Sequence, residues 1–188
     1  MFSSYGGELI EQGVSFARML WADRDQPLDP FSGESRALKW DGDTWTAPGI
    51  GGRSVAVFHD ADQVSWTSSS NNGFWGPSVH WNVDLHTYIA LMSRSKGGNY
   101  DPDGIYMTYN DTLENPRSWA IPKLISGKSD NQGWYPQVIG DPAIQGTDKL
   151  AGARARYFDA GQSNSIIVFT KEDAVSTSVP TFGDRRAR

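Results

Sequence analysis

Short stretches of alternating apolar and polar residues run through most of the chain, and each ends in a cluster of Gly, Asn, Asp or Pro. A period of two broken by turn formers predicts β-strands joined by tight reversals. The clearest region covers residues 74–125. There, residues 77–82 (PSVHWN) predict a first strand, 87–92 (TYIALM) a second and 104–109 (GIYMTY) a third. After Asn115-Pro116-Arg117-Ser118-Trp119, residues 120–125 predict a fourth, outer strand. Four antiparallel strands with tight reversals form one blade of a β-propeller.

The pattern then restarts. Residues 134–140 resemble the first strand, 151–157 the second and 165–170 the third. Upstream, residues 16–21, 36–40 and 54–58 predict an earlier, less regular blade. Weak helical periodicity over residues 5–19 is interrupted by Gly, a poor helix former. Residues 60–73, rich in Ser, Asn and Gly, predict an interblade connection.

The expected fold is therefore all-β: a single partial β-propeller domain of four-stranded antiparallel blades. Approximate blades cover residues 14–58, 74–125 and 134–171, with a tail over 172–188. Closed propellers hold about 4–8 blades, so about three would leave the end sheets uncovered. Either the chain is part of a longer polypeptide, or copies pack end blade on end blade. The second, a homo-oligomer, is favoured if the chain is full length.

Length and composition narrow the functional classes. The 188 residues suit one domain, and 38% hydrophobic content supports a core. No window approaches the roughly 18 consecutive apolar residues of a membrane helix, so no membrane partner is expected. A formal charge of −5 argues against a general nucleic-acid binder. Cysteine is absent, which excludes disulfides and Cys-based zinc sites but not a compartment. No signal peptide is visible, so the compartment is left unknown: cytoplasmic as it stands, extracellular or periplasmic if the chain is a fragment. Eight Trp and seven Tyr supply flat apolar faces with polar edges, suited to stacking on sugar rings and equally to packing β-sheets.

The blocks Trp75-Gly76-Pro77-Ser78-Val79-His80-Trp81-Asn82, Tyr88-Ile89-Ala90-Leu91, Gly104-Ile105-Tyr106-Met107-Thr108-Tyr109 and Asn115-Pro116-Arg117-Ser118-Trp119 together resemble five-bladed propeller glycoside hydrolases. These are the arabinanase, β-xylosidase and invertase-like enzymes of families 43, 62, 32 and 68. The resemblance covers about half of the chain, and sialidases and non-catalytic propellers share its rhythm. It implies hydrolysis of glycosidic bonds in an oligosaccharide by two carboxylates, one protonating the leaving oxygen and one activating water or attacking carbon. Trp75-Gly76-Pro77 stands where a family member carries Glu-Gly-Pro. The acid then comes from another blade, from a neighbouring subunit, or is missing.

Several residues are candidates for such a site. Asp23 and Asp25 flank Arg24 after an apolar strand, as paired carboxylates at a channel mouth would; the other reading is an ordinary turn with local ion pairs. Alternation puts Ser78, His80 and Asn82 on one polar face and Val79 and Trp81 on the other. The polar face suits a channel that bonds sugar hydroxyls, with His80 as a catalytic candidate or a satisfied core histidine. Trp75 and Trp134-Tyr135 open inner strands, and Gln137 follows in the same strand as Trp134. Asp148, Lys149 and Arg154 surround the next hairpin, where Arg154 is placed to clamp a carboxylate-bearing sugar.

Other chemistries find little support. Tyr100-Asp101-Pro102-Asp103-Gly104 lacks the full calcium loop and reads as a turn, so no metal site is expected. Asn110-Asp111-Thr112 matches a glycosylation acceptor. No phosphate loop or nucleophile elbow occurs, and no cofactor is implied. Three functions stay open: a hydrolase, a non-catalytic carbohydrate-binding propeller, and a structural assembly module.

Overall fold

A computed structural model of the chain describes residues 1–4, 13–49, 54–58, 73–96, 101–127, 133–141, 147–170 and 182–183. Among them the fold is all-β, without an α-helix, and includes a sheet curled into a half-barrel. Strands β1 (Phe2–Ser4) and β2 (Gly13–Ser15) pair with each other. A first meander follows from β3 (Ala17–Arg18), β4 (Leu38–Trp40) and β5 (Trp45–Pro48).

The central sheet is a second meander of β6 (Gly73–Asn82), β7 (Thr87–Lys96), β8 (Asp101–Asn110) and β9 (Lys123–Gly127). A short β11 (Leu150–Ala151) adds in parallel to the free edge of β6. The third meander runs through β10 (Gln137–Gly140), β12 (Arg154–Asp159), β13 (Gln162–Val168) and β14 (Phe182–Gly183).

Local chemistry sets the reversals. At the β6–β7 hairpin the Asn82 side-chain oxygen accepts from the backbone N–H of Asp84 (3.2 Å) and Leu85 (3.0 Å). His86 then closes the turn with φ 55°. Gly76 and Pro77 fall where the β6–β7 register shifts, between Trp75 and Ser78. A bulge tolerates both the missing proline N–H and the positive φ (55°) of Gly76.

The apolar run Tyr88-Ile89-Ala90-Leu91-Met92 is buried on both faces of the central sheet, which explains its lack of strict alternation. One face sets Ile89, Leu91, Ile105 and Met107 against Val138, Ala155, Tyr157 and Ile167 of the third meander. The other sets Ala90, Met92, Tyr106 and Phe74 against Val14, Phe16, Trp40 and Phe58. Trp119 joins this second core and meets Phe58 edge to face at 5.6 Å. Each such aromatic pair adds about 1 kcal/mol beyond the area it buries.

Several expected elements shift. The strand expected over residues 16–21 shortens to Ala17–Arg18, and Trp21–Asp23 forms a 3-10 turn. Gly13–Ser15 and Ala17–Arg18 are strands rather than part of a helix; residues 5–12 lie outside the described residues. Residues 54–58 form no strand, although Val57 N–H donates to the Val14 carbonyl at 2.9 Å. Strand β5 was not anticipated. In the expected tail, Phe182–Gly183 pair with β13 as its outer neighbour. The connection expected over residues 60–73 lies outside the described residues up to 72, and Gly73 opens β6.

Candidate functional site

Alternation along β6 sends Val79 and Trp81 to one face and Ser78, His80 and Asn82 to the other. Val79 packs on the second core, whereas the His80 ring lies 5.2 Å from that of Phe169, which belongs to the first core. Trp81 stands beyond the packed part of its face and meets Tyr88 edge to face at 4.8 Å. There the first meander and the end of the central sheet leave a cavity of about 540 Å³. Phe16, Trp45, Val79, Trp81, Tyr88 and Leu113 supply its apolar lining, and Arg18, Glu114 and Lys149 its charged side chains.

Each wall is fixed by its own contacts. The Trp45 indole N–H donates to the Glu114 carbonyl at 3.3 Å, tying β5 to the loop after β8. Trp40 meets the Trp45 ring edge to face at 5.4 Å, and the Arg18 guanidinium carbon sits 4.7 Å from its centroid. On the opposite wall, Trp81 N–H donates to the Lys149 carbonyl at 2.9 Å. Aromatic faces and three charged groups thus share one cleft.

Of the anticipated candidates, His80 and Lys149 border the cleft, and the others lie elsewhere. Ser78 accepts from Val138 N–H (3.4 Å), and the Asn82 amide donates to the Gly152 carbonyl (3.0 Å). Both hold the third meander to the central sheet. His80 is 1% exposed, and neither ring nitrogen has a partner. Burial pushes its pKa down from 6.5 to about 4, so it is neutral near pH 7.

Asp23 receives Arg36 at 2.8 Å, and exposed Asp25 pairs with Arg24 at 3.3 Å; neither lines the cleft. Gln137 and Arg154 are exposed on the third meander. Asn110, in the glycosylation pattern, is buried, with its amide donating to the Asn115 carbonyl at 3.1 Å. Asp101 to Gly104, expected as a turn, instead open strand β8 and pair with β7; there Asp103 receives Arg94 at 3.3 Å and the Tyr106 hydroxyl at 2.9 Å.

Trp75 and the Trp134-Tyr135 segment both meet β7, at the other end of the central sheet. The Trp75 indole donates to Ser95 Oγ at 2.9 Å, and Tyr135 N–H donates to the neighbouring Ser93 Oγ at 2.8 Å. Asp159 accepts from Gly133 and Trp134 N–H, holding the loop in which Tyr135 takes φ 47°. Trp75 and Trp81 are six residue steps apart along β6, about 20 Å at strand rise.

Sequence reasoning had placed Trp81 on the face opposite His80 but gave it no role. Trp45, Arg18 and Tyr88 also went unassigned as site residues. The signal in the sequence is the aromatic Trp81 on the face opposite the supposed channel, and its partner wall comes from β5, which has only a weak strand pattern. Comparison with protein-family models, with curated proteins and with solved structures finds no match for this chain.

Proposed function

We propose that the cleft binds an oligosaccharide, and that the chain is a carbohydrate-binding arc of a β-propeller. Its remaining blades would come from further chain or from other copies. The fold part of this reading rests on three successive antiparallel meanders whose faces pack on one another, as propeller blades do.

The binding part rests on one observation. Trp81 and Tyr88 stand edge to face, with their planes 67° apart, in a cavity of about 540 Å³, with Trp45 in the facing wall and charged groups around them. Small-molecule sites occupy about 300–1,000 Å³ and combine apolar walls with few polar groups. Indole and phenol rings match the apolar faces of a pyranose while their polar edges stay available to hydroxyls.

Binding is favoured over bond cleavage because hydrolysis takes two carboxyl groups about 5–9.5 Å apart. Glu114 is the single carboxylate among the described residues lining the cleft.

The test is a titration of a panel of soluble oligosaccharides, followed by tryptophan fluorescence. Trp81→Ala and Trp45→Ala should each weaken binding about tenfold, typical of losing an aromatic anchor. Trp21→Ala, 79% exposed and outside the cleft, should leave affinity unchanged. Binding by no sugar, or full affinity in Trp81→Ala, overturns the reading.

A further inference from the structure

The charges in the cleft are unbalanced in a direction opposite to the rest of the chain. The whole sequence carries −5, yet among the described residues the charged side chains lining the cleft are two cations, Arg18 and Lys149, and one carboxylate, Glu114. Among the described residues neither cation forms an ion pair, in contrast to Arg24, Arg36, Arg94 and Arg117, each of which meets an Asp. Arg18 is held in place by an aromatic ring instead of by an anion, its guanidinium stacked over Trp45 at 4.7 Å. Such stacking engages the face of the guanidinium and leaves its N–H groups for a ligand. Lys149 is anchored through its backbone, whose carbonyl accepts from Trp81 N–H and whose N–H donates to Thr147 Oγ1. Its exposed ammonium is a second, separately placed donor.

We infer that the oligosaccharide is anionic, and that its carboxylate or sulfate groups are read by Arg18 and Lys149 while Trp81 and Tyr88 receive a ring face. This rests on the sugar-binding reading above. Glu114 opposes the charged ligand and limits its affinity. A guanidinium recognises either oxyanion through paired N–H donors, and an ammonium adds a point charge. Exposed pairs of this kind contribute a few-fold each, so two give about tenfold discrimination.

The experiment uses matched pairs in calorimetry. Cellotetraose is compared with tetraglucuronate, tetragalacturonate with its methyl ester, and a κ-carrageenan tetrasaccharide with its desulfated form. The charged member of at least one pair should bind about tenfold tighter at low ionic strength. That advantage should shrink to less than about twofold in about 1 M salt, where screening acts within about 3 Å. Carboxylated and sulfated arms identify which oxyanion is read.

Lys149→Gln and Arg18→Gln should each remove about threefold of the ratio by which the charged member of a pair binds more tightly than the uncharged one. Lys149→Gln is the safer variant, since its ladder contacts are made by backbone. Glu114→Gln should raise the same ratio. Equal binding within every pair overturns this inference and leaves sugar binding standing. A preference that survives both cation variants removes Arg18 and Lys149 from the recognition. Failure of every probe to bind overturns both readings together.

Discussion

Replacing His80 by Leu should make the protein nearly insensitive to acid between pH 7.5 and 4.5. The imidazole is 1% exposed, packs on Phe169 and lacks a hydrogen-bond partner at either nitrogen. Burial lowers its pKa from 6.5 to about 4, so between those values the unfolded chain binds a proton that the folded chain does not. Stability from this group is therefore complete above pH 6.5 and declines as pH falls towards 4. A shift of this size removes about 2 kcal/mol by pH 5 and about 3 kcal/mol by pH 4, against a total of about 5–15 kcal/mol for a domain.

Asp41 does not confuse the window. The backbone N–H groups of Thr44 and Asp43 hold its carboxylate well below its ordinary value of 3.8, so its contribution is lost only at lower pH. The assay is urea unfolding of wild type and His80→Leu at pH 7.5, 6, 5 and 4.5. Leu has a similar volume and leaves no polar atom without a partner, so stability at pH 7.5 should be equal or up to about 1 kcal/mol higher. Parallel loss of stability by both proteins from pH 7.5 to 5 would refute the assignment of His80 as a neutral, unpartnered core residue.

Two further predictions concern the frame that positions the cleft. Gly104→Ala should destabilise by about 3 kcal/mol in urea unfolding, because φ is 145° there and a Cβ would strike the Ser126 carbonyl and lie 2.7 Å from Leu124. A loss under about 0.5 kcal/mol would mean that the β8–β9 pairing is looser than described. Asn82→Ala should cost about 2 kcal/mol, since one buried amide bridges the β6–β7 turn and the Gly152 carbonyl. Because Asn82 faces away from the cleft, sugar affinity of the folded variant should stay within twofold of wild type; a larger drop would return Asn82 to the site.

The central sheet was legible because its residues repeat one unambiguous message. Strong β-formers in residues 87–92 and 104–109 sit between Asn-, Asp- and Gly-containing turns, and strands β7 and β8 cover both runs. The first meander was harder to place. Trp45–Pro48 is short, ends in a proline and pairs with a β4 only three residues long, so its pattern is weak.

The site shows a different boundary. Alternation correctly grouped Ser78, His80 and Asn82 on one face, but periodicity does not say what covers a face. Phe169 and Val138 cover this one, through contacts some 60–90 residues away in sequence. The cleft depends on the same kind of long-range meeting, with Trp45 bonded to Glu114 and Trp81 to Lys149 across separate elements. An aromatic such as Trp81 looks the same in sequence whether it fills a core or lines a cavity.

The indole N–H resonances of the eight Trp residues offer the most direct test of the cleft. Followed by proton–nitrogen correlation NMR during titration with the oligosaccharide that binds best, Trp45 and Trp81 should shift together and saturate. Trp75 and Trp134, at the far end of the central sheet, should stay in place. Movement confined to Trp75 and Trp134, or no movement under saturating ligand, would contradict the assignment of the cleft as the sugar site.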